Sequence, residues 1–414
     1  MTNISQSAPR RGSLLVIFLT VFIDLLGFGM VLPLLPIYAE EFGLKDQGLW
    51  IGMLMSCFSL MQFLFAPLWG RLSDSIGRRP VLLVGLAGST VFYSLFGVAT
   101  AMLSLPLLFV TRIGAGIAGA TISTAQAYIA DSTPLEGRTK GMALIGAAFG
   151  LGFTFGPLLG AAALWGPGPI SASPWPGYLA GALSGTALLL AIFMLPESRH
   201  LEHADATARH RFSLDALVDA LRTPSVGELL ATSFISVVAF GGFESTLSLL
   251  LKSDQHGFGF DLKNVLYVFA FIGLVLSIVQ GGIVRRLSGR VAEHRLALIG
   301  GALTIAGFVV LQIAARSTSV PLLFLAATIE VSGFAFITPS LQSLISRRSD
   351  PEKQGGIMGV SQSVSALARI AAPMIALPLR GADSTLPYSV SIVLMGMGML
   401  LLFVANRRGK DFGS

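Results

Sequence analysis

Charge is scarce in this 414-residue chain. Only 12% of it is Asp, Glu, Lys or Arg, about half the share of an ordinary soluble domain, while 53% is hydrophobic. A soluble fold of this length has no interior large enough to hide that much apolar surface. Cysteine is nearly absent, and Cys57 alone excludes a disulfide framework and a cysteine-based metal site. It reads as a small packing residue. All five histidines (His200, His203, His210, His256 and His294) fall outside the long apolar runs. No H-E-x-x-H pair, G-x-S-x-G elbow or G-x-x-x-x-G-K-[S/T] loop occurs, which argues against a zinc or serine hydrolase and against an ATP-driven pump. Gly114, Gly116 and Gly119 spell G-x-G-x-x-G, but inside an apolar run and not after a strand, so nucleotide binding is rejected there. No enzyme, cofactor or metal site is expected.

What is abundant is apolar runs close to twenty residues long, enough at 1.5 Å per residue to cross a hydrocarbon core roughly 30 Å thick. Twelve such spans are predicted, near 14–38, 49–69, 81–99, 104–129, 140–163, 177–195, 229–251, 264–284, 295–315, 321–343, 354–379 and 387–405. The first is too long for a secretory signal, carries Asp24 and lacks a small-residue cleavage site, so it is expected to stay in the mature protein. Net charge is +6, but the placement of the charges says more than their sum. Of 28 Lys and Arg, 21 fall in the termini and alternate loops on one side, and five (Lys45, Lys252, Lys263, Arg316 and Arg380) on the other. Cytoplasmic loops hold the excess of Lys and Arg, so both termini are expected in the cytoplasm. The basic balance therefore points to the bilayer as partner and not to nucleic acid.

Residues 196–228 turn polar and read as a cytoplasmic linker between two six-span bundles, 1–195 and 229–414. Internal similarity supports that division. Gly70, Asp74, Gly77 and Arg78 line up with Gly282, Arg286, Gly289 and Arg290 at a constant offset, while Pro134 repeats as Pro351 and Gly156-Pro157 as Ala372-Pro373. Two similar bundles with a solute site at their interface are a standard plan for secondary transporters.

Residues 70–82, GRLSDSIGRRPVL, resemble the G-x-L-x-D-x-x-G-R-R/K signature that joins spans two and three in the major facilitator superfamily. DLLGFGMVLPLLP at 24–36, RIGAG at 112–116, PLEGR at 134–138 and GFTFGPLLG at 152–160 extend the likeness toward its twelve-span drug:proton antiporter branch, near the tetracycline exporters. Ala161 stands where the antiporter pattern has a second Gly, Ala115 where it often has Gln, and Arg286 replaces the acid in the second copy of the loop. The resemblance implies an all-α membrane protein of twelve helices in two six-helix bundles. It also implies that a network of Gly70, Asp74, Gly77, Arg78, Arg79, Asp131 and Arg138 latches the outward-facing state and opens with the cytoplasmic side. A charge run that only sets topology is the alternative.

Five ionisable residues lie well inside spans: Asp24, Arg112, Glu244, Glu330 and Arg369. Each costs several kcal/mol to bury there unless it is paired or faces water, so each is a functional candidate. Asp24 and Arg112 enter from opposite faces at compatible depths and are expected to meet, either as a proton-exchanging pair or as a fixed ion pair. Glu244 and Glu330 occupy nearly the repeat positions of Asp24 and Arg112, and the resemblance makes spans one, four, seven and ten cavity-lining. Arg369 is expected to neutralise Glu330 or Glu244, or to contact an anionic substrate. Gln62, Gln126, Phe28, Met30, Tyr128, Phe240 and Phe243 supply a mixture of polar and aromatic groups suited to amphipathic molecules. Gly150, Gly152, Gly156 and Gly160 mark one small-residue face of span five, kinked at Pro157, which the resemblance associates with sealing the bundle interface in antiporters. The expected function is proton-coupled efflux of small amphipathic compounds by a monomer, in the inner membrane if bacterial. Uptake or facilitated diffusion of a nutrient on the same fold is the alternative.

Overall fold

The computed structural model describes residues 11–45, 47–133, 138–164, 172–198, 223, 225–254, 257–350 and 354–409. Among the described residues, twelve helices long and apolar enough to span a membrane follow one another. They are α1 (Arg11–Val31), α2 (Gly48–Ile76), α3 (Arg78–Ala101), α4 (Leu105–Asp131), α5 (Arg138–Ala163), α6 (Trp175–Met194), α7 (Val226–Lys252), α8 (Leu262–Leu287), α9 (Glu293–Ser317), α10 (Val320–Arg348), α11 (Gln354–Ala382) and α12 (Leu386–Arg408). No β-strand occurs among the described residues. The polar linker expected over 196–228 falls largely outside them.

Helix ends follow from local chemistry. The Ser104 side chain caps α4 and the Asp261 side chain caps α8, each accepting a backbone N–H that the first turn leaves unbonded. Proline opens α4, α6, α10 and α12 near the first helical positions, where its missing donor costs nothing. Two boundaries differ from expectation. The first span was expected to run to 38, but α1 stops at Val31, because Pro33 lacks an N–H and its ring clashes with the preceding turn. A short helix, Leu35–Ala39, and a π-helical turn, Glu40–Leu44, follow it, and Gly43 in that turn takes φ +99°. The second span was expected to end at 69, but α2 continues as helix through Gly70 and Asp74 and stops only where Gly77 takes φ +101°. A membrane boundary ends the need for apolar residues; it does not end a helix.

The first six helices pack as one bundle, with α1 against α5 and α6, and α3 against α4 and α6. In the last six, α7 packs against α11 and α12, and α9 against α10 and α12. Two seams join the halves, α2 with α11 and α5 with α8. On the first seam, Gly48 abuts the Leu377 carbonyl, Gly52 the Pro373 carbonyl, and the Ser56 hydroxyl donates to the Ile370 carbonyl at 2.6 Å. Beyond Ser56, Leu60, Leu64, Leu68 and Leu72 wind around α2 and are exposed, and among the described residues Gly70 of α2 and Gly359 of α11 have no neighbour within reach of an added Cβ. On the second seam, Gly160 meets Leu266, Gly273 meets Phe153 and Gly150 meets Ser277, whereas Gly146, Gly281 and Gly282 have no neighbour among the described residues within reach of an added Cβ. Both seams are therefore shut at the end remote from the termini and part toward the end that bears them.

The span-five glycines serve two faces and not one. Gly152 and Gly156 bring α5 against α1, where an added Cβ at 156 would lie 2.7 Å from the Leu26 carbonyl oxygen, while Gly150 reaches α8 across the second seam and Gly160 meets both Met30 of α1 and Leu266 of α8. Pro157 lies inside the same helix. The close approach is one a Cβ would forbid, as small-residue packing between membrane helices requires.

Candidate functional site

Asp24 sits on α1 and accepts a hydrogen bond from the Ser184 hydroxyl of α6 at 2.9 Å, with Ser89 of α3 close by. Arg112 of α4 is buried, 2% exposed, with its guanidinium carbon 4.5 Å above the Phe58 ring of α2. Such a cation over a desolvated ring face is worth about 2 kcal/mol. The expected meeting of Asp24 and Arg112 does not occur: no described carboxylate lies within 4 Å of Arg112. The reason is helical phase. Asp24 turns toward the serines inside the first bundle, and Arg112 turns toward α2. Tyr93 of α3 lies within electrostatic reach of both, its ring packed where a side chain on Gly27 would be.

In the second half, Glu244 on α7 is half-buried, and Arg369 on α11 is exposed although it lies within a membrane span. The two interact through space without forming an ion pair at 4 Å. Glu330 of α10 is 1% exposed, and neither carboxyl oxygen has a hydrogen-bond partner among the described residues. Its Cβ abuts Gly307 of α9, so it is wedged between helices and does not line open space, contrary to the cavity position expected of it. Arg369 thus faces Glu244, with no short contact to Glu330. Glu330 and Glu244 lie within each other's fields.

Aromatic pairs flank this region on both sides. Phe28 stacks on Phe58 with centroids 5.1 Å apart, and Phe240 on Phe334 at 3.9 Å. Gln62 donates to the Gly119 carbonyl at 3.3 Å, at the contact of α2 with α4, and Gln126 is exposed. Three residues expected at the cavity are instead core: Met30, Phe243 and Tyr128 are wholly buried. Met30 packs beside Gly160, Phe243 beside Phe308, and the Tyr128 hydroxyl donates to the Pro196 carbonyl.

At the end carrying the termini, Arg78 joins Asp74 at 2.6 Å, Asp131 at 3.0 Å and the Ser73 hydroxyl at 2.7 Å. Glu197 accepts the backbone N–H groups of Arg78 and Arg79 at the start of α3, where a helix N-terminus favours a carboxylate. Arg79 also donates to the Ile192 carbonyl. Gly70 has open space around it, and the side chain of Arg138 lies outside the described residues. These Arg78 pairs remain formed although the halves have parted at this end, so parting the halves does not require them to break. The network latch expected from the resemblance also involves Arg138, whose side chain lies outside the described residues. Arg78→Ala is expected to lower stability by about 1.5–3 kcal/mol, read as a lower thermal unfolding midpoint, because it strips charge-assisted bonds from two carboxylates. Arg78→Lys keeps the charge but not the forked geometry, and should recover less than half of that loss.

Sequence reasoning missed Ser184, Tyr93 and four residues at the closed end: Glu40, Glu41, Lys252 and Arg380. A signal for the last four was present. Lys252 and Arg380 are two of only five basic residues on the poorly charged side, and Glu40 and Glu41 are adjacent acids there.

Residues 17–373 match a family described as Major Facilitator Superfamily. The class G tetracycline resistance protein of Vibrio anguillarum is 36% identical over 372 residues, covering 88% of this chain and 89% of that protein. The crystal structure of the human organic anion transporter MFSD10 (TETRAN) is 29% identical, with TM-score 0.70, covering 95% of this chain and 99% of that one. A bacterial homologue of the human lysosomal transporter Spinster, in an inward-facing and unoccupied conformation, superposes with TM-score 0.74 at 14% identity over 95% of this chain and 96% of its own, a likeness of fold alone.

Proposed function

Because this chain belongs to the major facilitator superfamily, and is thus a multi-pass membrane transporter of small molecules, we propose that it exports amphipathic organic compounds from the cytoplasm in exchange for protons. The observation that carries the reading is the setting of Glu244. It is a half-buried carboxylate inside a span, facing an exposed arginine it does not touch, in a protein whose halves are shut beyond it at one end and parted at the other. A carboxylate in that position can take up a proton from one side and release it after the halves rock. Asp24, held by Ser184, is the second proton-carrying candidate, with Arg112 and Glu330 setting the field around the pair. The cavity walls are Phe28, Gln62, Gln126, Phe240 and Arg369.

With the lysine- and arginine-rich end in the cytoplasm, the open end faces the cytoplasm, the side from which an exporter loads. The tetracycline resistance relative supports efflux, and on this reading the protein works as a monomer in a bacterial inner membrane. The test is uptake of labelled tetracycline into inside-out vesicles under an imposed proton gradient. Accumulation that survives ATP depletion and collapses with an uncoupler supports the proposal; accumulation that ignores the uncoupler rejects it.

One observation favours a negatively charged solute: Arg369 is exposed within a span and has no carboxylate within 4 Å among the described residues. The MFSD10 relative is itself named an organic anion transporter. On this reading Arg369→Gln should weaken competition by aromatic carboxylates about tenfold or more, the scale of one lost charge-assisted contact, and leave cationic competitors unchanged. Equal weakening of both classes would show that Arg369 does not read substrate charge.

A further inference from the structure

The closed end is held by more than backbone packing. Arg380 of α11 bonds Glu40 at 3.1 Å, and Lys252 of α7 bonds Glu41 at 2.5 Å. Each pair has its acid in the first half and its base in the second. Among the described residues at the other end, Arg78 joins Asp74 and Asp131 within the first half, and Arg347–Glu293 and Arg408–Glu228 lie within the second.

The geometry follows from the break after α1. Adjacent residues on a helix point about 100° apart, so Glu40 and Glu41 on one short turn can address two different neighbours. α7 and α11 are those neighbours, packed side by side. Arg380 ties them together by also donating to the Leu249 carbonyl at 3.4 Å, close to Lys252. The four side chains are partly shielded, between 19% and 37% exposed, which screens their attraction less than full exposure would. Just inside them lie the Gly48–Leu377 and Gly52–Pro373 contacts. The ion pairs therefore sit as the outermost layer of a seam whose inner layers are glycine against carbonyl.

We propose that Glu40–Arg380 and Glu41–Lys252 form a two-point latch that selects the state closed at this end and must part each time the transporter opens there. The inference rests on the alternating-access reading above, though not on its proton coupling or its substrate. Backbone packing of this kind is lost all at once when helices separate, whereas a charge pair still attracts across a widening gap. The latch thus sets how often the seam opens, and neutralising it should raise the open population without disturbing either bundle.

The test reads conformation directly, in the full chain in membrane vesicles. Cys57, the only cysteine, is replaced by Ser, and Ser56→Cys places a thiol beneath the seam, where Ser56 is 5% exposed. A membrane-impermeant maleimide is then applied from the side opposite the termini. Glu41→Gln and Glu41→Lys should each speed labelling from that side about threefold to fivefold, the upper part of the range for one ion pair. The exchange E41K with K252E should return the rate to within about twofold of the parent, since among the described residues Lys252 and Glu41 form their ion pair only with each other. Unchanged rates in the Glu41 variants would overturn the proposal, as would faster labelling that the exchange does not reverse. Antiport is measured separately in the same preparations. Loss of proton coupling with an intact labelling response would count against the export reading and leave the latch standing.

Discussion

Glu244→Gln is expected to abolish accumulation of substrate driven by a pH gradient while leaving substrate-for-substrate exchange measurable. The amide matches the carboxylate in size, so α7 should keep its packing against α11, but it carries no charge and cannot bind and release a proton. One unit of pH is worth about 1.4 kcal/mol per proton, so one-for-one exchange with the membrane potential clamped sustains about a tenfold solute gradient. In the variant that ratio should fall to about one. Asp24→Asn is the useful comparison. Asp24 is held by the Ser184 hydroxyl, whereas Glu244 has no short-range partner among the described residues and faces Arg369 across a gap. Loss in Glu244→Gln with partial retention in Asp24→Asn would place the exchange step in the second half. Full accumulation in both would remove the carboxylates from the coupling mechanism.

Gly52→Val should produce the second large effect, by a different route. An added Cβ at Gly52 would lie 2.7 Å from the Pro373 carbonyl oxygen and 3.1 Å from the Met374 Cα, both backbone atoms of the opposite half. The valine side chain cannot be accommodated by a rotamer change alone, and overpacking of this kind costs about 1–3 kcal/mol. Because Gly52 faces the other half and not its own bundle, the cost falls on one conformational state and not on folding. A penalty of that size shifts the equilibrium away from the closed seam roughly fivefold to 150-fold. Net transport should fall by about tenfold or more, thermal stability should hold, and the Ser56→Cys thiol should label faster from the side opposite the termini. A variant with normal transport and slow labelling would mean that the seam closes elsewhere.

Much of this was legible before any coordinates. Twelve apolar runs of membrane length, an offset that aligns Gly77 with Gly289, and a bias of basic residues to one side describe the architecture. In the structure Gly77 and Gly289 both take positive φ, as the repeated loop requires. The five ionisable residues inside spans were also identifiable from burial cost alone. What a linear reading supplies is depth in the membrane; what it leaves open is the direction a residue faces around its helix. Asp24 and Arg112 share a depth, yet one turns to Ser184 and the other to Phe58. Phe240 and Glu244, four residues apart on α7, share a side, while Phe243 lies one position off it and is buried against Phe308. Glu330 shows the same limit, since its span is central but its side chain is wedged against Gly307. The Glu40 and Glu41 pairs were hidden for another reason, because they depend on a break after α1 that an apolar run continuing to residue 38 conceals.

The export reading stands or falls on whether solute and proton move in opposite directions. Proteoliposomes loaded with a pH-sensitive dye, with equal pH on both sides and the membrane potential clamped, are given labelled tetracycline outside. Solute entering down its own gradient should drive protons out and make the lumen more alkaline, with no such change in Glu244→Gln. A lumen that acidifies would mean solute and proton travel together, and a lumen whose pH stays level while solute enters would mean no coupling; either result contradicts proton-coupled export.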